Sequence, residues 1–141
     1  MTEDPQQVWT DYYARMRRRR IAEARILHSR MAADGITDDT ILALDFMHFG
    51  NVESDVRELA AQLATSYTMT VTRRPDFTYW SVEGTTRPYG IDCMNADRCV
   101  DWVAFMCDVA NSYGCVFSTW MLTDPTRQRS WSNETIDVDP G

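Results

Sequence analysis

Residues 40–63 read TILALDFMHFGNVESDVRELAAQL, and within this stretch a strand pattern gives way to a helix pattern. Large apolar residues crowd the segment from Ile41 to Phe49, which is typical of a buried strand. Gly50-Asn51 then interrupts the apolar run. Beyond it, apolar residues recur with the spacing of one face of an amphipathic helix, at Val52, Val56, Leu59 and Leu63. The stretch therefore predicts a β-α unit.

The chain after residue 66 predicts a hairpin and a second helix-strand pair. Residues 67–72 and 77–83 alternate between apolar and polar positions on either side of a turn, as the two strands of a β-hairpin do. A helical stripe follows at Cys99, Val103, Met106 and Ala110, and residues 115–122 form a last apolar strand. The order β-α-β-β-α-β predicts an α+β fold, a ferredoxin-like sandwich with two helices on one face of a four-stranded antiparallel sheet.

The two ends of the chain lie outside this core pattern. Residues from Val8 to Ala33 contain no Gly or Pro and predict a long additional helix, with Gly35 as its left-handed C-terminal cap. From Thr126 onward the sequence is polar and predicts no further element. We expect a single domain over residues 1–141, composed of an N-terminal helix within 1–35, an α+β body over 40–123 and a polar tail over 126–141.

Neither a secretory signal nor a membrane span is indicated. The first residues are acidic, and the apolar runs are too short to cross a bilayer, so we expect a cytoplasmic location with no membrane contact. The four cysteines, at positions 93, 99, 107 and 115, form no CxxC pair and are distant in sequence from both histidines. We expect four reduced structural thiols, no metal site and no cofactor.

Charge is distributed unevenly along the chain. Residues 1–35 carry seven Arg and five acids, for a net charge of +2, whereas residues 36–141 carry seven Arg and sixteen acids, for −9. An acidic body repels phosphates, so tight direct binding of nucleic acid is not expected, and a basic protein is the favoured partner. The basic run from Arg15 to Arg20 allows two interpretations, a solvated helix face against the acidic body or a contact with RNA or protein.

Motifs of catalysis are not found. No phosphate-binding loop and no nucleophile elbow occurs, and His48 lies three residues from Asp45 on the predicted strand, which places the two on opposite faces. We interpret His48 as a strand-end residue at the surface or in a hydrogen bond, and we expect a protein that is not an enzyme. Tyr79 and Trp80 place one ring on each face of the sheet, where RNA stacking, protein contact and core packing are all possible.

Five residues are the candidates for partner binding. Three acids flank strands or loops and would face a basic partner, and two aromatic residues would serve as apolar anchors. They are Asp45, Asp92, Asp124, Trp80 and Trp120.

The layout resembles the family of regulators of ribonuclease E activity B (RraB). The resemblance is carried by the helix end Ala32-Ala33-Asp34-Gly35, the strand from Leu44 to Phe49, and the last strand with Phe117-Ser118-Thr119-Trp120. It implies a non-enzymatic inhibitor that binds the endoribonuclease by protein-protein contact and alters which transcripts it cleaves. Immunity proteins that neutralise nuclease toxins are a second class with the same small size, acidity and lack of motifs, and the sequence leaves both open.

Overall fold

The computed structural model describes residues 4–75, 78–93 and 95–136. Helices and strands alternate along the chain after a long first helix, and a short 3₁₀ helix at Asn133–Thr135 follows the last strand. The helices are α1 (Pro5–Ala33), α2 (Glu53–Leu63) and α3 (Ala96–Ser112). The strands are β1 (Ile41–Gly50), β2 (Thr68–Arg73), β3 (Trp80–Thr85), β4 (Ile91–Asp92), β5 (Val116–Asp124) and β6 (Arg129–Ser132).

The predicted α+β class with an antiparallel sheet is confirmed. The strand order is β2-β3-β1-β5-β6, with β4 beside the start of β1, and every pairing is antiparallel. The predicted count of four strands is wrong, because the described residues form six. The two additional strands are only two and four residues long, too short to produce an alternating pattern in the sequence.

Helices α2 and α3 cover the same face of the sheet. Phe46 and Gly50 are both on one face of β1, because side chains alternate with a period of two. The ring of Phe46 contacts Trp102 of α3, and Gly50 lies against Val56 of α2. Helix α1 packs along α3 on the same side of the sheet, where Leu27 and Met31 lie beside Leu44 and Leu122. The opposite face of the sheet therefore has no helix over it in the described residues.

The predicted glycine cap at the end of α1 is confirmed, and a side-chain cap begins α3. Gly35 has φ of +93°, and the amide of Ile36 donates to the carbonyl of Met31 at 3.0 Å, which closes α1 with a left-handed glycine cap. Asn95 accepts a hydrogen bond from the amide of Arg98 at 2.9 Å and caps the start of α3. These two caps determine where α1 ends and where α3 begins.

The predicted polar tail is largely part of the fold. Trp131, Asn133 and Ile136 are buried, and β6 extends the sheet beside β5. Sequence periodicity missed this segment because its buried residues are isolated among polar ones. Residues 137–141 of the predicted tail lie outside the described residues.

A buried carboxylate connects α1 to this C-terminal segment. Glu23 is only 2% exposed and accepts a hydrogen bond from Arg20 Nη1 at 2.9 Å and another from Asn133 Nδ2 at 3.2 Å. Arg20 also donates to the carbonyl of Phe117 at 3.2 Å, and the amide of Trp120 donates to Asn133 Oδ1 at 2.9 Å. The network thus holds α1, β5 and the C-terminal segment together.

We expect Glu23→Gln to lower the free energy of unfolding by about 3–5 kcal/mol, because it leaves the guanidinium of Arg20 enclosed without a counter-charge. Urea unfolding followed by tryptophan fluorescence measures this. Glu53→Gln is the matched control, since Glu53 pairs with Arg57 at 2.9 Å on the exposed surface of α2. That pair should contribute at most about 0.5 kcal/mol. Equal losses in the two variants would contradict the proposed role of Glu23.

Candidate functional site

The structure does not bring the five predicted partner-binding residues together. Trp120 is 4% exposed and stacks on Phe117 with ring centroids 5.5 Å apart, so it belongs to the core and cannot serve as an exposed anchor. Asp124 is 3% exposed and accepts hydrogen bonds from the amides of the following turn. Its carboxylate orders that turn and is not presented to a partner. Because both side chains are buried, neither Trp120 nor Asp124 is a partner-binding residue at the surface.

Trp80 and Asp45, two further residues of the set, lie on opposite faces of the sheet. Trp80 is half-buried on the helix-covered face, where the guanidinium of Arg57 lies 5.6 Å from its ring. Asp45 lies on the uncovered face, paired with Arg87 at 3.2 Å and accepting a hydrogen bond from Thr85 at 2.6 Å. Both residues already have partners within the chain. A binding role for either would require these internal contacts to be exchanged.

Asp92 alone of the five lies in an exposed acidic surface. Four exposed carboxylates meet where the turn before β1, the short strand β4 and the first turn of α3 come together. The amide of Cys93 donates to the carbonyl of Thr40 at 2.9 Å, which ties these segments to one another. We call this surface the acidic end; its carboxylates are Asp38, Asp39, Asp92 and Asp97.

The carboxylates of the acidic end are not neutralised by the chain itself. Among the described residues none of the four pairs with an arginine. Arginines do pair with other acids of the fold. Arg98 is the basic residue of this region, at the start of α3. Burial raises the pKa of the Cys93 thiol and that of Cys99, in the first turn of α3, and the charge of Asp38 adds to both, so the turn before β1 lies near the start of α3.

Two large apolar side chains are exposed within the acidic end. Tyr89 is 79% exposed and precedes β4, and Ile41 is 52% exposed at the start of β1. Gly90, the residue after Tyr89, lies directly against the Ile41 side chain, and Ile41 is paired with Asp92 across β1 and β4. An apolar centre with a charged rim is the arrangement found in protein interfaces, where Tyr is enriched. Tyr89 is not among the residues predicted from the sequence. A large aromatic residue between Pro88 and Gly90 was the sequence feature that could have indicated it.

The basic run of α1 is mostly occupied by contacts within the chain. Arg17 pairs with Asp108 of α3 at 3.0 Å, and Arg20 pairs with buried Glu23 at 2.9 Å. Arg19 lies 3.5 Å from the same carboxylate. Arg17 thus pairs with an acid of the body, as the first interpretation of the run expects, whereas Arg19 and Arg20 pair with Glu23 of α1 itself. They leave few guanidinium groups of the run to contact phosphates.

The cysteines and His48 are held in their uncharged forms. None of the four cysteines forms a disulfide. Burial raises the pKa of Cys107 to about 12 and that of Cys99 and Cys115 to about 11, so these thiols are poor nucleophiles at neutral pH. Among the described residues, no group of three metal-ligating side chains is close enough to hold an ion.

His48 is not the surface or hydrogen-bonded residue that the sequence suggested. It is fully buried between the rings of Phe46 and Phe117, with centroids 5.7 and 5.0 Å away, and neither ring nitrogen has a hydrogen-bond partner. Burial lowers the pKa of His48 to about 3. The predicted placement of Asp45 and His48 on opposite faces of β1 is confirmed. The histidine is a core residue.

Comparison with known proteins found no relative: no protein-family model matches the chain, and no curated protein matches its sequence. In the part of the chain that the structure describes, no helix has both the length and the apolar character needed to span a membrane.

We expect folding stability to fall in mild acid because of His48. Its pKa is about 3 in the folded chain, against an ordinary value of 6.5. Between these values the imidazole is therefore protonated in the unfolded chain and neutral in the folded chain. Stability is therefore intact above pH 6.5 and is lost as the pH falls from 6.5 toward 3. The loss between about pH 7 and about pH 5 should be about 2 kcal/mol.

Urea unfolding at both pH values tests this expectation. His48→Phe should remove most of the acid sensitivity, because a phenyl ring among Phe46 and Phe117 takes up no proton. His28→Gln is the control, since it removes the other histidine, which lies on α1. If the wild type and His48→Phe lost the same stability on acidification, the assignment to His48 would be wrong.

A second prediction concerns RNA. Because most of the Arg15–Arg20 run is paired with acids, a mixed-sequence single-stranded RNA should bind with a dissociation constant of about 10⁻⁴ M or weaker at physiological salt. Fluorescence anisotropy with a labelled RNA measures this. Submicromolar binding would contradict the prediction and would make the basic run a functional site.

Proposed function

We propose that this chain acts by binding a basic protein, a ribonuclease in the first instance, at the acidic end. The observation that carries the proposal is the exposed pair Tyr89 and Ile41 within a group of four unpaired aspartates. The apolar pair would bury surface at the centre of the contact, and the carboxylates would attract and orient a basic partner. Asp92 is the member of the original candidate set that this surface retains.

We further propose a ferredoxin-like body of the kind that the RraB resemblance implies. The strand order β2-β3-β1-β5, with α2 joining β1 to β2 and α3 preceding β5, supports it. Strands β4 and β6 and helix α1 would then be additions to that core. The proposed partner class rests on this resemblance and on the acidic surface together, and the proposed location is the cytoplasm.

A role in binding and not in catalysis is part of the proposal. Histidine and cysteine often supply bases and nucleophiles in enzymes. Here His48 is enclosed by aromatic rings, and the cysteine thiols have raised pKa values. Asp45, on the uncovered face, is engaged by Arg87 and Thr85. The acidic end presents exposed carboxylates together with exposed apolar side chains, which suits recognition.

Partner capture is the first experiment. Wild-type chain immobilised through its C-terminus should retain a basic protein from a cytoplasmic extract of the source organism, identified by mass spectrometry. Recovery of a cellular ribonuclease would support the regulator class, and recovery of a nuclease toxin would support the immunity class. Absence of any basic protein, together with turnover of a substrate by the purified chain, would contradict the proposal.

Charge and apolar variants then locate the contact. Asp92→Asn combined with Asp97→Asn should slow association about three- to tenfold at low ionic strength, because electrostatic steering is lost. Tyr89→Ala should act on dissociation, accelerating it about 30-fold if the ring contributes about 2 kcal/mol. Surface plasmon resonance at several salt concentrations separates the two rates.

Glu58→Gln combined with Glu134→Gln is the matched control, because both residues are exposed acids outside the acidic end and the net charge changes equally. If this control slowed association as much as the Asp92 and Asp97 variant, total charge and not the acidic end would govern binding. If Tyr89→Ala dissociated at the wild-type rate, the apolar centre would lie elsewhere.

A further inference from the structure

The N-terminal half of α1 carries aromatic residues that the core does not use. The buried residues of α1 all lie from Glu23 onward, whereas Trp9 is 50% exposed near the beginning of the helix. Trp9, Tyr12 and Tyr13 contact one another with ring centroids 5.8 to 5.9 Å apart. A group of one exposed and two half-buried rings on a helix surface, outside the core, indicates a binding surface. We call these three residues the ring cluster.

A groove of about 460 Å³ lies beside the ring cluster. The cluster forms its wall on α1, and Phe49, Gly50 and Gly114 line it from the sheet and from the end of α3. This volume falls within the range of ligand-binding pockets, about 300–1,000 Å³. Such a groove has room for one long side chain of a partner together with part of its backbone.

The charges around the groove favour a cation. Asp11 and Arg15 both line it, and with Asp55 nearby the acids outnumber this one cation. Asp55 approaches from α2, with its carboxylate 3.2 Å from the position that a Cβ on Gly114 would occupy. The pKa of Tyr13 is raised, chiefly by burial, and the nearby charge of Asp55 adds to this.

The ring cluster already holds one guanidinium of the chain. The Arg15 guanidinium lies 5.9 Å from the centroid of the Tyr12 ring, at the distance of a cation–π contact. Arginine suits such a site better than lysine, because its planar guanidinium stacks on aromatic faces and is more weakly hydrated. The internal contact thus shows which side-chain chemistry these rings accept.

We propose that the groove beside the ring cluster binds an arginine side chain of a partner polypeptide, with the rings receiving the guanidinium and Asp11 and Asp55 balancing its charge. This site is distinct from the acidic end. Phe49 and Gly50 line the groove at one end of β1, and Ile41 belongs to the acidic end at the other. Nine residue steps of strand separate them, about 30 Å.

The test uses acetyl-arginine amide as the probe and the indole N–H signal of Trp9 in the full chain as the readout. A saturable shift with a dissociation constant of about 1–10 mM is expected for a single side chain. Acetyl-citrulline amide, which has the same shape without the charge, should bind at least fivefold more weakly. The indole signal of Trp131 should stay unchanged, because that residue packs near Asp34, away from the groove.

Variants assign the binding to the groove. Trp9→Leu should abolish saturable binding, followed then through the ring signals of Tyr13, and Asp11→Asn should weaken it about two- to threefold. Asp92→Asn combined with Asp97→Asn should leave the probe affinity unchanged. A loss of probe binding in the double variant of Asp92 and Asp97 would place the probe at the acidic end and overturn the proposal for the groove.

Three other outcomes would also overturn the proposal. Equal binding of the citrulline probe would show an apolar groove with no selection for charge. A Trp9 signal that moves with protein concentration alone would show that a second copy of the chain occupies the ring cluster. No shift at probe concentrations about tenfold above the expected dissociation constant would show that the rings bind no arginine. None of these outcomes bears on capture at the acidic end, which is measured separately.

Discussion

The enclosed carboxylate of Glu23 is the contact on which the arrangement of the outer elements depends. A buried charge is tolerated only when it is paired and hydrogen-bonded, and the groups that satisfy this one come from α1 itself and from the C-terminal segment. Arg20 extends the connection to the backbone of β5 at Phe117. The second half of α1 is thereby docked against the body, and β6 is held at the edge of the sheet.

This docking leaves the first half of α1 free to project its side chains outward. Met31, Leu27 and Ala24 fill the space against the core, but Trp9 has no such environment. An aromatic cluster outside the core gains nothing for folding from exposed ring surface. The same contact that stabilises the helix therefore also determines where a ring-lined groove can form.

Pairing of arginines with acids decides where negative charge remains on the surface. The body carries an excess of acids, and its arginines pair with some of them, as with Arg74 and Glu83 or Arg87 and Asp45. The four aspartates of the acidic end escape this pairing. A uniform net charge would only keep the protein soluble, whereas unpaired carboxylates around Tyr89 and Ile41 create a local, oriented field for a partner.

Much of the fold was determined by local sequence, because periodicity and capping act over a few residues. The strand from Ile41, the helix stripe ending at Leu63, the asparagine cap of α3 and the glycine cap of α1 all follow from such short-range rules. The candidate site could not be obtained this way. Burial of Trp120 depends on residues far away in the chain, such as Trp102. Composition determined that the chain is acidic; the pairing of arginines with distant acids, which only the tertiary structure decided, determined which carboxylates remain unpaired.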